Sequence, residues 1–311
     1  MINKILSRDE FADKPPILLD IGASGYLNRE WEAIAKYSIC VAFDGDDRDF
    51  EYLKRIQSLY RLLISVNKVV TTETGLKEFF LTKSPYCSST LMPDKENLKN
   101  YAFAELFHID RKIYVEAITL QEALVQNDIP YIDWYKTDTQ GTDLRILQSL
   151  DNQIVQNTTL FELEPGIIDA YIGEDKFYEI LEYFDKRKYI ALEANIKGNM
   201  RANVELLKSF GVATNNLKLP VTPDWCEVTF FNPPNNNIDV RGYLLSYVFS
   251  YIKKQYGLCL EIAHKGQQKF NDNIFDEMIE HAVALLKEEP IQLSFKNKIR
   301  RKLHWIIDKS F

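Results

Sequence analysis

Apolar positions in the first three quarters of the chain fall into short blocks separated by polar or glycine-bearing turns. The blocks at 17–21, 39–43, 62–71, 76–81, 112–118, 131–137, 158–163, 189–193 and 227–231 are rich in aliphatic, β-branched and aromatic residues and have strand length. Between many of them the apolar spacing changes to that of a helix. Leu27, Trp31, Ile34 and Ala35 space a helix over 26–37, and Phe50, Leu53, Ile56 and Leu59 or Tyr60 one over 49–60. Further helices are expected at 97–107, 142–150 and 176–187, and one at 119–127 with Thr119 as N-cap and Glu122 closing a capping box. The 76–81 block is expected to form a hairpin with its predecessor. Strands alternating with helices imply an α/β fold with a mainly parallel sheet covered on both faces. The last two strands lack a full βα unit between them, so the terminal strand is expected to be antiparallel.

The stretch 194–224, with a short amphipathic helix (Val204, Leu206, Leu207, Phe210), reads as an insertion over the carboxyl edge of the sheet, either a lid or plain decoration. Past F-N-P-P-N-N-N the pattern becomes wholly helical, at 240–256, 273–288 and 291–307. A boundary near 236 therefore separates an α/β domain, 1–235, from a helical C-terminal extension, 236–311.

Composition narrows the options. Hydrophobic content of 46% supplies a core, and a net charge of −7 argues against nucleic acid as a principal partner. Cys40, Cys87, Cys226 and Cys259 are scattered without a C-x-x-C pair, which favours reduced thiols. The N-terminus has no signal-peptide core, and the longest apolar stretch, 243–252, is too short for a span; a cytoplasmic protein is expected. The last helix carries Lys296, Lys298, Arg300, Arg301 and Lys302 beside Phe295, Ile299, Leu303 and Ile306. That pattern suits either peripheral contact with an anionic membrane or a packed helix with a solvated charged face.

Candidate chemistry starts at P-I-L-L-D-I-G-A-S-G. A strand, a glycine turn, a helix and a second strand ending on Asp44 form a nucleotide-binding βαβ pattern, in which the acid accepts ribose hydroxyls. A dinucleotide fingerprint needs glycine where Ser24 stands, and Asp20 would repel a pyrophosphate. D-x-G-x-x-G instead suits the ammonium and sulfonium of S-adenosylmethionine. Gly22, Ala23, Ser24 and Gly25 would present backbone to its methionyl part, Asp20 would favour its ammonium, and Asn67 and Lys68 would lie at the adenine edge. The same turn in a protein that binds nothing there is the alternative.

The segment I-D-W-Y-K-T-D-T-Q-G-T-D resembles the signature of the FkbM family of methyltransferases, a strand ending K-x-D-x-x-G followed by an acid and a helix. Lys136, Asp138, Gly141 and Asp143 match, while Gln140 stands where the family commonly has glutamate. D-I-G-A-S-G, the serine pair Ser88-Ser89 and F-E-L-E-P-G fit the same family in order, over roughly residues 16–231. The resemblance implies a Rossmann-like class I methyltransferase fold and S-adenosylmethionine-dependent O-methylation of a hydroxyl on a sugar, glycan or related metabolite. A base would assist, and Asp138, Glu164 and His108 are the candidates. Glu162 shares a strand face with Glu164. Helix capping is the competing role for Asp138, and a divalent ion on Asp138, Asp143 and Glu164 a competing arrangement, though no metal site is assigned. Two other functions stay open: a glycosyltransferase using Asp44-Gly45-Asp46-Asp47 as a metal clamp, and a non-catalytic adaptor acting through the helical tail.

Overall fold

The structure is a computed structural model that describes residues 1–23, 27–45, 56–214, 217–235 and 237–288. The chain divides into two compact units, Ile2–Leu245 and the residues from Ser246 onward, so the division falls inside the helix Val240–Ile252, beyond the composition boundary near 236.

In the first unit, β1 (Ile17–Ile21), β2 (Ile39–Phe43), β3 (Leu62–Val66), β4 (Val69–Thr71), β5 (Gly75–Thr82), β6 (Ile109–Thr119), β7 (Trp134–Thr137), β8 (Leu160–Leu163), β9 (Ile190–Met200) and β10 (Val221–Phe231) form two sheets. The larger has the order β3-β2-β1-β7-β8-β10-β9. Its first five strands are parallel, and β10 runs antiparallel to both β8 and β9. The chain winds outward from β1 through β2 and β3, then returns to β7 on the other side, which creates a topological switch point between β1 and β7.

Alternation gives the sheet two different faces. Ile17, Leu19, Ile21, Val41, Phe43, Tyr135, Phe161 and Phe230 join one buried cluster with Leu124, Ile146 and Phe184 from three covering helices. Phe184 stacks on Phe230 with ring centroids 4.0 Å apart. The opposite face carries a polar row in register, Asp20 beside Lys136 and Lys136 beside Glu162. Trp31 covers that face, meeting Trp134 edge-on at 5.9 Å.

Several elements differ from their expected form. The 26–37 stretch holds two 3-10 segments, Arg29–Ala33 and Ala35–Tyr37, in place of one α-helix. Asn28 caps the first by accepting Glu30 N–H at 3.0 Å. The 62–71 block breaks at Asn67-Lys68 into β3 and β4, which belong to different sheets. β5 pairs with β6 and not with its predecessor; β4 and β5 flank β6 on opposite sides, both meeting it at Ala117. The capping box before Leu120–Gln126 is relayed: Thr119 Oγ accepts Glu122 N–H at 3.2 Å, while Thr74 Oγ accepts Thr119 N–H and donates to the Glu122 carboxylate. The 194–224 insertion is bounded by sheet: β9 runs into it as far as Met200 and β10 leaves it from Val221 as one antiparallel pair, with Val204–Ser209 helical between them. The expected 49–60 helix falls mostly, and the basic 291–307 helix entirely, outside the described residues.

The second unit contains Tyr256–Lys269 and Ile274–Glu288 as helices. Tyr247 Oη donates to Met278 O at 3.0 Å and lies 2.8 Å from His281 Nδ1. Among the described residues no helix is long and apolar enough to cross a membrane.

Candidate functional site

Both strands flanking the switch point end in chemistry. β1 runs into Gly22, whose φ of +85° suits glycine, and a Cβ there would sit 2.1 Å from the Asp138 carbonyl oxygen. Asp138 N–H in turn donates to Ile21 O at 2.9 Å. The ends of β1 and β7 are thereby held against each other. Beside them lies a cleft of about 100 Å³ lined by Ile21, Gly22, Phe43, Asp44, Lys68 and Asp138 among others. Asp44 follows β2 and is 8% exposed.

A second cavity of about 370 Å³ adjoins it. Tyr86, Asp138 and Gln140 line both, so Asp138 stands at the junction. Glu164, emerging from the neighbouring strand β8, lines the second cavity.

Asp138 is positioned for a role other than capping. The helix Asp143–Gln148 takes no cap from Asp138: its first turn is served by Asp175, whose carboxylate accepts Arg145 N–H at 2.9 Å, and the turn before it is closed by Thr139 Oγ accepting Thr142 N–H at 3.2 Å. Asp138 Oδ1 instead accepts from Gln140 Nε2 at 2.6 Å, and Gln140 Oε1 accepts from Tyr171 Oη at 2.9 Å. A glutamate at 140 would place a like charge here; glutamine supplies an N–H. Ser89 holds the loop in place by donating to Gln140 O at 2.8 Å, while Ser88 Oγ accepts Thr82 N–H at 3.1 Å. The serine pair therefore braces the site.

Carboxyls outnumber cations around the junction. Lys136 Nζ pairs with Asp20 Oδ1 at 2.9 Å. Burial opposes its charge, but Asp20, Asp138 and Glu164 together raise its pKa above that of an ordinary lysine. Burial raises Asp138, with Lys136 pulling the other way. Burial and the Asp138 charge push Glu164 up to about 9 and Asp143 up to about 6. Burial and the Asp138 charge thus favour the protonated form of Glu164. A carboxyl that keeps its proton only in the folded state destabilises the fold as pH rises from the ordinary 4.5 toward 9. Glu164→Gln is therefore expected to unfold at the same temperature as wild type near pH 4.5 and at a higher one near pH 9. Parallel melting profiles across that range would contradict the assignment.

Other residues expected at the site lie elsewhere or act differently. Asp20 is fully buried against Lys136 and does not line the cleft, because its side chain points into the covered sheet face. Gly22 and Ala23 N–H both donate to Phe43 O at 3.0 Å, continuing the β1–β2 ladder, so both amides are already engaged within the fold. Ser24 and Gly25 lie outside the described residues, as do Asp46 and Asp47 of the alternative metal clamp. Lys68 lines the cleft and pairs with Glu116 at 3.3 Å, whereas Asn67 is exposed and does not line it. His108 is exposed just before β6 and lines neither space. Glu162 is held by Asn28 Nδ2 at 2.8 Å on the covered face. Among the described residues no group of three or more His, Cys, Asp or Glu is arranged to hold a metal ion.

No family model matches the chain, and no curated protein matches it. The solved structure of precorrin-6y C5,15-methyltransferase from Geobacter metallireducens GS-15 overlaps it with a TM-score of 0.34 at 10% identity, covering 74% of this chain and 85% of that one. An overlap that loose carries no argument about activity. The strand order speaks for itself. This is a Rossmann-like α/β fold, parallel over five strands with an antiparallel strand beside them.

Tyr86, Tyr171 and Asp224 were not singled out from the sequence, and Gln140 was given no site role. Gln140 sits inside the K-T-D-T-Q-G segment, where its departure from glutamate was the available signal. Tyr86 and Tyr171 come from irregular segments with no periodicity to mark them, and Asp224 from the start of β10, which the sequence pattern places only from 227.

Proposed function

We propose that the protein is an S-adenosylmethionine-dependent methyltransferase acting on a hydroxyl of a sugar, glycan or related metabolite, as the FkbM resemblance implies. The observation that carries this reading is the meeting of a switch-point cleft and a larger cavity at Asp138. The cleft suits the donor chemically: Asp44 offers acceptors for two ribose hydroxyls, Phe43, Val69, Val70 and Phe79 offer apolar walls for a base, and Asp138 offers negative charge beside a sulfonium. Bound S-adenosylmethionine supplies a methyl group on a positively charged sulfur. Asp138, oriented by Gln140, would take the proton of the acceptor hydroxyl. Its raised pKa makes it a stronger base than an exposed carboxylate. The walls contribute by holding the acceptor oxygen in line and close.

Calorimetric titration with S-adenosylhomocysteine tests the donor site. Wild type is expected to bind it, and Asp44→Ala to bind it roughly a hundredfold more weakly, the loss of two hydrogen bonds to a charged acceptor at about 1.5 kcal/mol each. Equal affinities would remove Asp44 from the site. Manganese-dependent binding of a UDP-sugar in place of S-adenosylhomocysteine would support a glycosyltransferase.

A further inference from the structure

The cavity beyond Asp138 has a marked chemical asymmetry. Four carboxyl residues line it, Asp138, Glu164, Glu174 and Asp224, and no lysine, arginine or histidine does. Glu174 is already engaged, pairing with Lys176 at 2.6 Å and accepting Ala170 N–H at 3.0 Å. Glu164 and Asp224 are not. Asp224 is 3% exposed, and neither of its carboxylate oxygens has a hydrogen bond of good geometry; Asn199 and Thr222 stabilise its charge only weakly, and burial still raises its pKa. A buried carboxylate short of donors is unfavourable, a deficit that a ligand donor can offset. The facing wall is aromatic: Phe103, Phe107 and Tyr171 run in sequence with ring centroids 5.5 and 5.6 Å apart, and Trp225 lines the same space.

We propose that this cavity takes an acceptor carrying a protonated amine, held by Glu164 and Asp224, with its ring or carbon skeleton against the aromatic wall. The inference rests on the methyltransferase reading above and specifies the acceptor within it. Carboxyls that outnumber the lysines near them, Lys136 and Lys176, disfavour an anionic acceptor and favour a cationic one, and aromatic faces attract both ammonium groups and apolar ring faces. A neutral polyol would satisfy the hydrogen-bonding deficit but would leave the excess negative charge in place. Because burial and the Asp138 charge favour the protonated form of Glu164, and an ammonium beside it favours its carboxylate, binding is expected to release a proton to the buffer.

The test uses the full chain saturated with S-adenosylhomocysteine and three probes sharing one ring: glucosamine, N-acetylglucosamine and glucuronate. Calorimetry in buffers of different ionisation enthalpy reads affinity and proton release together. Glucosamine is expected to bind at least about tenfold more tightly than N-acetylglucosamine, a difference of about 1.4 kcal/mol, and glucuronate most weakly. Glu164→Gln and Asp224→Asn are each expected to erase most of that preference while binding S-adenosylhomocysteine as wild type does, and Glu164→Gln to abolish the proton release. Equal or tighter binding of the neutral or anionic probe, or no binding of glucosamine to the loaded protein, overturns the amine assignment and leaves the donor site standing. Failure of wild type to bind S-adenosylhomocysteine overturns both.

Discussion

Asp138→Asn is expected to bind S-adenosylhomocysteine like wild type and to lose roughly 10²–10⁴-fold in methyl transfer, the usual contribution of a positioned proton acceptor. The substitution keeps the size of the side chain and an oxygen for Gln140 Nε2, so the hydrogen-bonded line from Tyr171 through Gln140 survives. What is lost is a basic oxygen at the junction of the two spaces. A second effect follows from the same change. The Asp138 charge raises the pKa of Glu164, so removing it lowers that pKa toward the ordinary range. Tritium carried from methyl-labelled cofactor into a glycan and metabolite extract measures the rate. A variant as fast as wild type would show that the acceptor proton goes elsewhere, with Glu164 as the next carboxyl to replace.

Arg241→Met is expected to destabilise the first unit by about 3–5 kcal/mol, the range for removing one partner of a buried ion pair. Arg241 grips Asp133 through both guanidinium nitrogens, at 3.0 and 2.7 Å, and donates to Lys14 O and Pro15 O as well. The two side chains are 7% and 5% exposed. Asp133 also accepts Ile17 N–H at 2.9 Å, so the pair fastens the amino ends of β1 and β7 at the far end of the strands from the cleft. Removing the arginine leaves a buried carboxylate with one donor. Urea unfolding gives the loss directly, and the double variant Arg241→Met/Asp133→Asn should recover part of it. A loss below about 1 kcal/mol would mean that the pair is solvated and behaves like a surface salt bridge.

The parts of this architecture that were legible in the sequence are those fixed by local composition. Ile17–Ile21 and Ile39–Phe43 are apolar runs with little else to become, and their observed limits match their expected ones. Asp138 and Glu164 were legible as neighbours because each ends a parallel strand, and adjacent parallel strands end on the same edge. Partners in space were not legible. Asp20 looked like a ligand for a cation; it has one, Lys136, set by the register of β1 on β7. The break at Asn67-Lys68 splits a run of strand formers between two sheets, a consequence of pairing that no periodicity records. The spacing Leu27, Trp31, Ile34, Ala35 fits a helix face equally well when the chain tightens into 3-10 turns. The aromatic wall is assembled from Phe103 and Phe107 after one short helix, Tyr171 in a loop and Trp225 in β10, so nothing in their order along the chain announces it.

The proposal as a whole turns on where a sulfur-borne methyl would lie. The most direct measurement is a crystal structure of the protein grown with S-adenosylhomocysteine. The account predicts ribose hydroxyls hydrogen-bonded to Asp44 and a sulfur directed past Gly22 toward Asp138, facing the larger cavity. A nucleoside bound elsewhere on the molecule, or a sulfur pointing away from Asp138, would contradict it.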